Sequence, residues 1–171
     1  MTSPTLDARL AGYSPVVVSL FRIIVALLFT LHGSMTLFNW PLTIPFQVDV
    51  GDWPGWWAAL IEFVTGLLVL VGLFTRPAAF VASGTMAVAY FWQHWLGVDG
   101  PKIFWPFDQQ IGGNGGELAI LFCFAFFLIF FIGPGSIAID SRRQRRRVVT
   151  GTAATVGTAT RPGLLSRFRR R

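Results

Sequence analysis

The sequence has few charged residues and few side chains that could bind a metal or carry electrons. It contains one cysteine, two histidines and eight acidic residues among 171, and 13% of the chain is charged. A single thiol excludes an internal disulfide and a cysteine-based metal site. The histidines and carboxylates show no metal-ligand spacing within one segment, and no phosphate-binding loop with its lysine is present. We therefore predict no metal site, and we find no ligand set for haem, flavin or an iron–sulfur cluster.

Long apolar runs take up most of the chain, which is 53% hydrophobic. A hydrocarbon core of ~30 Å requires about 20 helical residues to cross it. In lipid every backbone polar group needs an internal partner, which favours helices. Three of the runs begin with a proline, a residue suited to the first helical turn. The sequence therefore predicts an all-α, integral membrane four-helix bundle, with spans at about residues 15–38, 54–74, 77–96 and 114–133.

The arginines and tryptophans predict the orientation of these spans. Arg9, Arg76 and the run RRQRRR at 142–147 flank one set of span ends. All seven tryptophans lie near the other ends, as expected for side chains at a membrane interface. The positive-inside rule then places both termini in the cytoplasm, in a multi-pass protein of the plasma (inner) membrane.

The membrane domain is predicted at residues 15–140, between a cytoplasmic segment at 1–14 and a basic tail at 141–171. The tail is rich in Thr, Ala and Gly and shows no periodicity, which is typical of a disordered segment. Its arginines are expected to attract anionic lipid headgroups. No aromatic stacking platform accompanies the charge, so we predict no nucleic-acid partner.

Ionisable residues inside the predicted spans are expected to form a polar pocket together with Asn114, because charges in a bilayer tend to face the bundle interior and pair. The candidate pocket residues are Arg22, His32, Glu62, Asn114 and Glu117. Counting about 1.5 Å per residue from the span edges, we predict an Arg22–Glu62 pair near mid-membrane. The same count predicts a His32–Glu117 pair near the outer rim. Two other interpretations stay open: Arg22–Glu62 as a purely structural pair, and His32 as a headgroup contact. Asn114 and Glu117 also fit a capping box at the start of the fourth helix.

Gln93 and His94, at the outer end of the third span, are secondary candidates for the same pocket. The alternative for both is contact with lipid headgroups. Small residues on the third span form a stripe that allows close helix packing in lipid.

Several stretches together resemble the DoxX family of small four-helix membrane proteins: "FRIIVALLFTLHGSMTLF", "IEFVTGLLVLVGLFTRPAAFVASGTMAVA", "DGPKIFW" and "NGGELAILF…GPGSIAID". The resemblance covers about residues 16–140. One departure is Thr36, which stands where members often carry a lysine. The matching positions are Arg22, His32, Gly33, Glu62, Gly66, Gly72, Asn114, Gly115, Gly116, Glu117, Gly133, Pro134, Gly135 and Asp140.

The resemblance implies association with quinol oxidase and thiosulfate:quinone oxidoreductase systems, so a quinone and redox protein partners are expected. Three hypotheses follow. The chain is a subunit of a membrane redox complex with an outward-facing polar pocket, a noncatalytic membrane scaffold, or a small-solute transporter. The third requires an oligomer, because four spans leave little room for a pore. Whether the isolated chain is an enzyme stays open.

Overall fold

The structure is a computed structural model that describes residues 5–43, 48–96 and 116–144. No strand occurs in this part of the chain, and the all-α prediction is confirmed. Residues 139–144 are also helical, and the tail from residue 145 onward lies outside the described residues. The main elements are α1 (Leu6–Phe38), α2 (Gly55–Val71), α3 (Thr75–Ala89), a π-helix that continues α3 (Tyr90–Leu96), and α4 (Glu117–Ile132).

Helix α1 begins earlier than predicted. It starts at Leu6 and passes through Pro15, which was expected to open the helix. A proline in a helix removes one backbone hydrogen bond. Here the loss falls in an exposed stretch, residues 5–17, where the freed carbonyl is accessible. Helix α1 is long and apolar enough to cross a membrane, whereas α2 and α4 are apolar but shorter.

The turn between α2 and α3 depends on a glycine. Gly72 ends α2 with φ +72°, and its N–H donates to the carbonyls of Leu68 and Val69. A Cβ on this residue would lie 2.5 Å from the Cβ of Ala138. A side chain would therefore be strained and would also collide with the segment that follows α4.

The helices pack in sequential pairs, α1 with α2 and α3 with α4, and α2 also contacts α3. Phe29 of α1 reaches α4, where its ring centroid lies 4.6 Å from that of Phe126. The predicted small-residue stripe is buried on α3, at Ala79, Ala82 and Ser83. Small side chains here allow α3 and α4 to approach closely, and the Ser83 hydroxyl donates to the Cys123 carbonyl at 2.9 Å.

Large apolar side chains cover the outward faces of the helices, among them Leu20, Leu121 and Phe124, each at least half exposed. The two ends of the molecule differ in composition. We call the end formed by Phe38–Trp40, Trp53–Trp57 and Tyr90–Gln93 the tryptophan end. The opposite end, formed by Gly72–Arg76 and Gly133–Gln144, is the arginine end.

Candidate functional site

Two glycines set the register between α1 and α2. A Cβ on Gly33 would lie 2.7 Å from the backbone nitrogen of Phe63 and 2.8 Å from the carbonyl oxygen of Ala59. A Cβ on Gly66 would lie 2.5 Å from the Thr30 hydroxyl oxygen. The two backbones are therefore closer than any side chain would allow, as is common where small residues meet in packed membrane helices.

This close contact brings His32 to Glu62. His32 directly precedes Gly33 and faces the same turn of α2. Its Nδ1 lies 2.9 Å from Oε2 of Glu62. The His32 side chain is 51% exposed, whereas that of Glu62 is 7% exposed. A buried carboxylate is thus capped by an imidazole that reaches the surface. Such a pair can take up a proton at the imidazole and stabilise the resulting charge with the carboxylate.

Arg22 lies at the arginine end and is fully buried. Its Nε donates to the carbonyl of Pro134 at 2.9 Å. One terminal nitrogen donates to the carbonyls of Val69 and Leu70, and the other donates to that of Ile137. The guanidinium therefore satisfies the last carbonyls of α2 and fastens the segment after α4 to α1.

The predicted Arg22–Glu62 pair is wrong. The helices run antiparallel with Thr30 against Gly66, so Arg22, about two turns before Thr30, lies beside the end of α2. Glu62 is seven residues before Val69, about 10 Å further along the axis. Among the described residues, no carboxylate forms an ion pair with Arg22.

The predicted His32–Glu117 pair is also wrong, because His32 bonds to Glu62 instead. Glu117 is exposed, and no ion pair joins it to His32. Helix α4 starts at Glu117, with Gly116 as its N-cap at φ 85° and no side-chain cap bond. Glu117 is therefore the first residue of α4 and not its third, the position that the predicted capping box required. Asn114, its predicted cap, lies outside the described residues.

Gln93 lies in the π-helix and lines a groove of about 390 Å³ between α2 and α3 at the tryptophan end. The other walls are almost entirely apolar and include Trp53, Trp57 and Trp92. Neither His32 nor Glu62 lines this groove. Gln93 therefore belongs to a surface distinct from the His32–Glu62 pair. The backbone of His94 continues the π-helix, and its side chain lies outside what the structure describes.

Asp140 has a role that the sequence did not reveal. Its carboxylate accepts hydrogen bonds from the backbone N–H groups of Phe74 (3.2 Å) and Thr75 (2.9 Å), and from the Thr75 hydroxyl (2.9 Å). Its own N–H donates to the carbonyl of Gly72 at 2.9 Å. The residue thus binds the start of α3, where a negative charge is favoured by the helix dipole.

The segment 133–138 is the partner that the sequence analysis lacked for Arg22. Ser136 donates its N–H to the carbonyl of Pro15 at 3.1 Å, and the N–H of Ile137 donates to the Ser19 hydroxyl at 3.0 Å. The only signal was the glycine–proline–glycine sequence at 133–135, which breaks the helix and exposes carbonyls. Such carbonyls are natural partners for a buried guanidinium.

The described residues thus form an all-α protein whose exterior is apolar and whose buried polar groups are few. The DoxX family model matches residues 17–95. The chain is 38% identical over 135 residues to an uncharacterized protein of Haemophilus influenzae, covering 78% of this chain and 96% of that relative. It is 29% identical over 139 residues to the inner membrane protein YphA of Escherichia coli K12, covering 75% and 91% respectively. No solved structure matches the chain.

The chain belongs to the DoxX family. The matched range includes Arg22, His32 and Glu62, and therefore both the buried guanidinium and the His32–Glu62 pair.

Proposed function

We propose that this DoxX protein is a four-span protein of the inner membrane with both termini in the cytoplasm. The apolar outward faces of the helices support insertion into lipid, and the name of the Escherichia coli relative supports the inner membrane. Tryptophans at one end and arginines at the other support the orientation, since they follow the interfacial preference and the positive-inside rule.

We further propose that it serves as a subunit of a membrane redox complex, in which the His32–Glu62 pair exchanges protons with a quinone or thiol substrate. The observation that carries this proposal is the 2.9 Å contact between a half-exposed imidazole and a buried carboxylate. Redox reactions of quinones and thiols release or consume protons, and a histidine with a carboxylate partner is suited to transfer them. A quinone would take up two electrons from a partner protein together with two protons, and two thiols forming a disulfide would pass two electrons to a partner protein and release two protons.

The test is affinity purification of the chain from membranes in mild detergent, followed by mass spectrometry and assay of the complex with a short-chain ubiquinone. The proposal predicts a copurifying oxidoreductase. It also predicts that His32→Gln and Glu62→Gln each lower quinone turnover by about 100-fold without dissociating the complex, the usual range for a lost acid–base group. Glu117→Gln, an exposed change of the same chemistry, is the matched control and should retain turnover.

Two outcomes would contradict the redox proposal. If no oxidoreductase copurifies, the chain is not part of such a complex. If the complex forms and both His32→Gln and Glu62→Gln turn over quinone at the wild-type rate, the chain is a noncatalytic scaffold.

A further inference from the structure

A second cavity lies at the arginine end, away from the His32–Glu62 pair. It measures about 310 Å³ and opens between the start of α3 and the segment after α4. Unlike the groove at the tryptophan end, it has charged side chains in its lining. The polar and charged residues of the lining are Thr75, Arg76, Asp140, Arg143 and Gln144, and Phe74, Pro77 and Pro134 complete it.

Arg76 is held in place at the wall of this cavity. One of its terminal nitrogens donates to the carbonyls of Phe130 and Phe131, near the end of α4. The other terminal nitrogen lies 3.0 Å from the position that a Cβ would occupy on Gly133. Nε and this second nitrogen donate to no described acceptor, and the residue is exposed. The guanidinium is thus anchored through one nitrogen and keeps donors for a ligand.

The charge of the cavity is positive. Arg76 and Arg143 line it together with one carboxylate, that of Asp140. The Asp140 oxygens already accept three hydrogen bonds from Phe74 and Thr75 at the start of α3, so this charge is stabilised within the protein. The Arg143 side chain is exposed and donates no hydrogen bond to a described residue. Two arginine forks near one cavity match the geometry of a phosphate group.

An apolar surface continues from the cavity along α3 and α4. Phe74, Phe80 and Phe131 are each about 60% exposed, and Phe74 also lines the cavity. A ligand with a phosphate in the cavity and hydrocarbon chains on this surface would contact both the charged cavity and the apolar surface. A free phosphate would contact only the charged cavity.

We infer that this cavity binds the phosphate of an anionic membrane lipid, with the lipid chains lying against α3 and α4. The inference depends on the proposed insertion with the arginine end toward the cytoplasm, where basic pockets between helices bind anionic headgroups. The inference goes beyond that proposal because it assigns a specific binding site for a lipid phosphate, whereas the basic tail was expected only to attract anionic headgroups in general.

The test uses the full chain in detergent with phosphatidylglycerol or phosphatidylcholine, and measures retained lipid by native mass spectrometry. Wild-type protein should retain phosphatidylglycerol preferentially. Arg76→Gln and Arg143→Gln should each lower that retention by about fivefold. Arg142→Gln removes the same charge from a neighbouring residue that does not line the cavity, and should change retention by less than about twofold. Arg143→Gln is informative even if Arg76→Gln fails to fold, since the Arg143 side chain makes no described structural bond.

Competition with inorganic phosphate distinguishes the two sources of the ligand. Phosphatidylglycerol should stay bound in millimolar phosphate, and its displacement would indicate a site for a free anion. Equal losses for Arg142→Gln and Arg143→Gln, or equal retention of the two lipids, would overturn the inference. Flotation of the wild-type chain with vesicles tests the insertion separately. A chain that floats but shows no lipid preference refutes the cavity alone, and a chain that does not float refutes insertion as well.

Discussion

A buried ionisable side chain lies next to the arginine end and another lies toward the tryptophan end, but the two are satisfied in different ways. At the arginine end, Arg22 donates to four backbone carbonyls and is closed off from the surface. Toward the tryptophan end, Glu62 is paired with one side chain, His32, which is itself half exposed. The difference teaches that burial of a charge does not by itself indicate chemistry. Exchange of protons with a substrate also requires a partner group that reaches the surface, as His32 does.

The largest expected effect comes from breaking the arginine end. Arg22→Gln cannot supply donors to all the carbonyls that the guanidinium now satisfies, on α2 and on the segment after α4. We expect a loss of roughly 3–5 kcal/mol in the free energy of unfolding, because each buried carbonyl left without a donor costs about 1–3 kcal/mol. The free energy of unfolding of both proteins is measured in mixed detergent micelles with increasing SDS.

Arg9→Gln is the control for that prediction, because Arg9 lies in the exposed first part of α1. It should change the free energy of unfolding by no more than about 0.5 kcal/mol. Wild-type stability of Arg22→Gln would show that the carbonyl contacts do not hold the helices together. The contrast between the two ends would then fail.

A smaller effect is expected at the helix contact that brings His32 to Glu62. Gly33→Ala places a methyl group 2.7 Å from the Phe63 nitrogen, which must push α1 and α2 apart. We expect about 1–3 kcal/mol of destabilisation in the same assay, typical of overpacking. We also expect a weakened His32–Glu62 contact.

Gly84→Ala is the matched change, since a Cβ on this helical glycine meets nothing within 4 Å. It should be neutral or stabilising by up to about 1 kcal/mol, because alanine favours the helix. If the two alanine variants behaved alike, the close approach at Gly33 would not be what sets the register.

The sequence predicted the helices better than the contacts between them. Apolar runs bounded by glycine and proline were enough to predict an all-α chain, because this pattern reflects the local environment of each helix. The start of α1 was missed, since Pro15 was interpreted as a helix start when it lies inside the helix. Local residue preferences do not reveal that an exposed helical stretch tolerates a missing hydrogen bond.

The pairing of polar side chains was predicted wrongly because depth was counted from the edge of each span separately. The register instead follows from where glycines allow two helices to meet. A count from the tryptophan end would have found the correct pair: His32 lies six residues before Phe38, and Glu62 seven after Gly55. The partners of Arg22 are backbone carbonyls, two near the end of α2 and two after α4, which no side-chain pattern specifies.

The central claim is that His32 bonds to Glu62, and histidine NMR tests it most directly. The chain has two histidines, so ¹⁵N-histidine labelling in lipid gives two sets of ring signals, and His94→Gln assigns them. We predict that Glu62→Gln shifts the His32 Nδ1 signal and that Glu117→Gln leaves it in place. A His32 signal that responds to Glu117→Gln and not to Glu62→Gln would contradict the account.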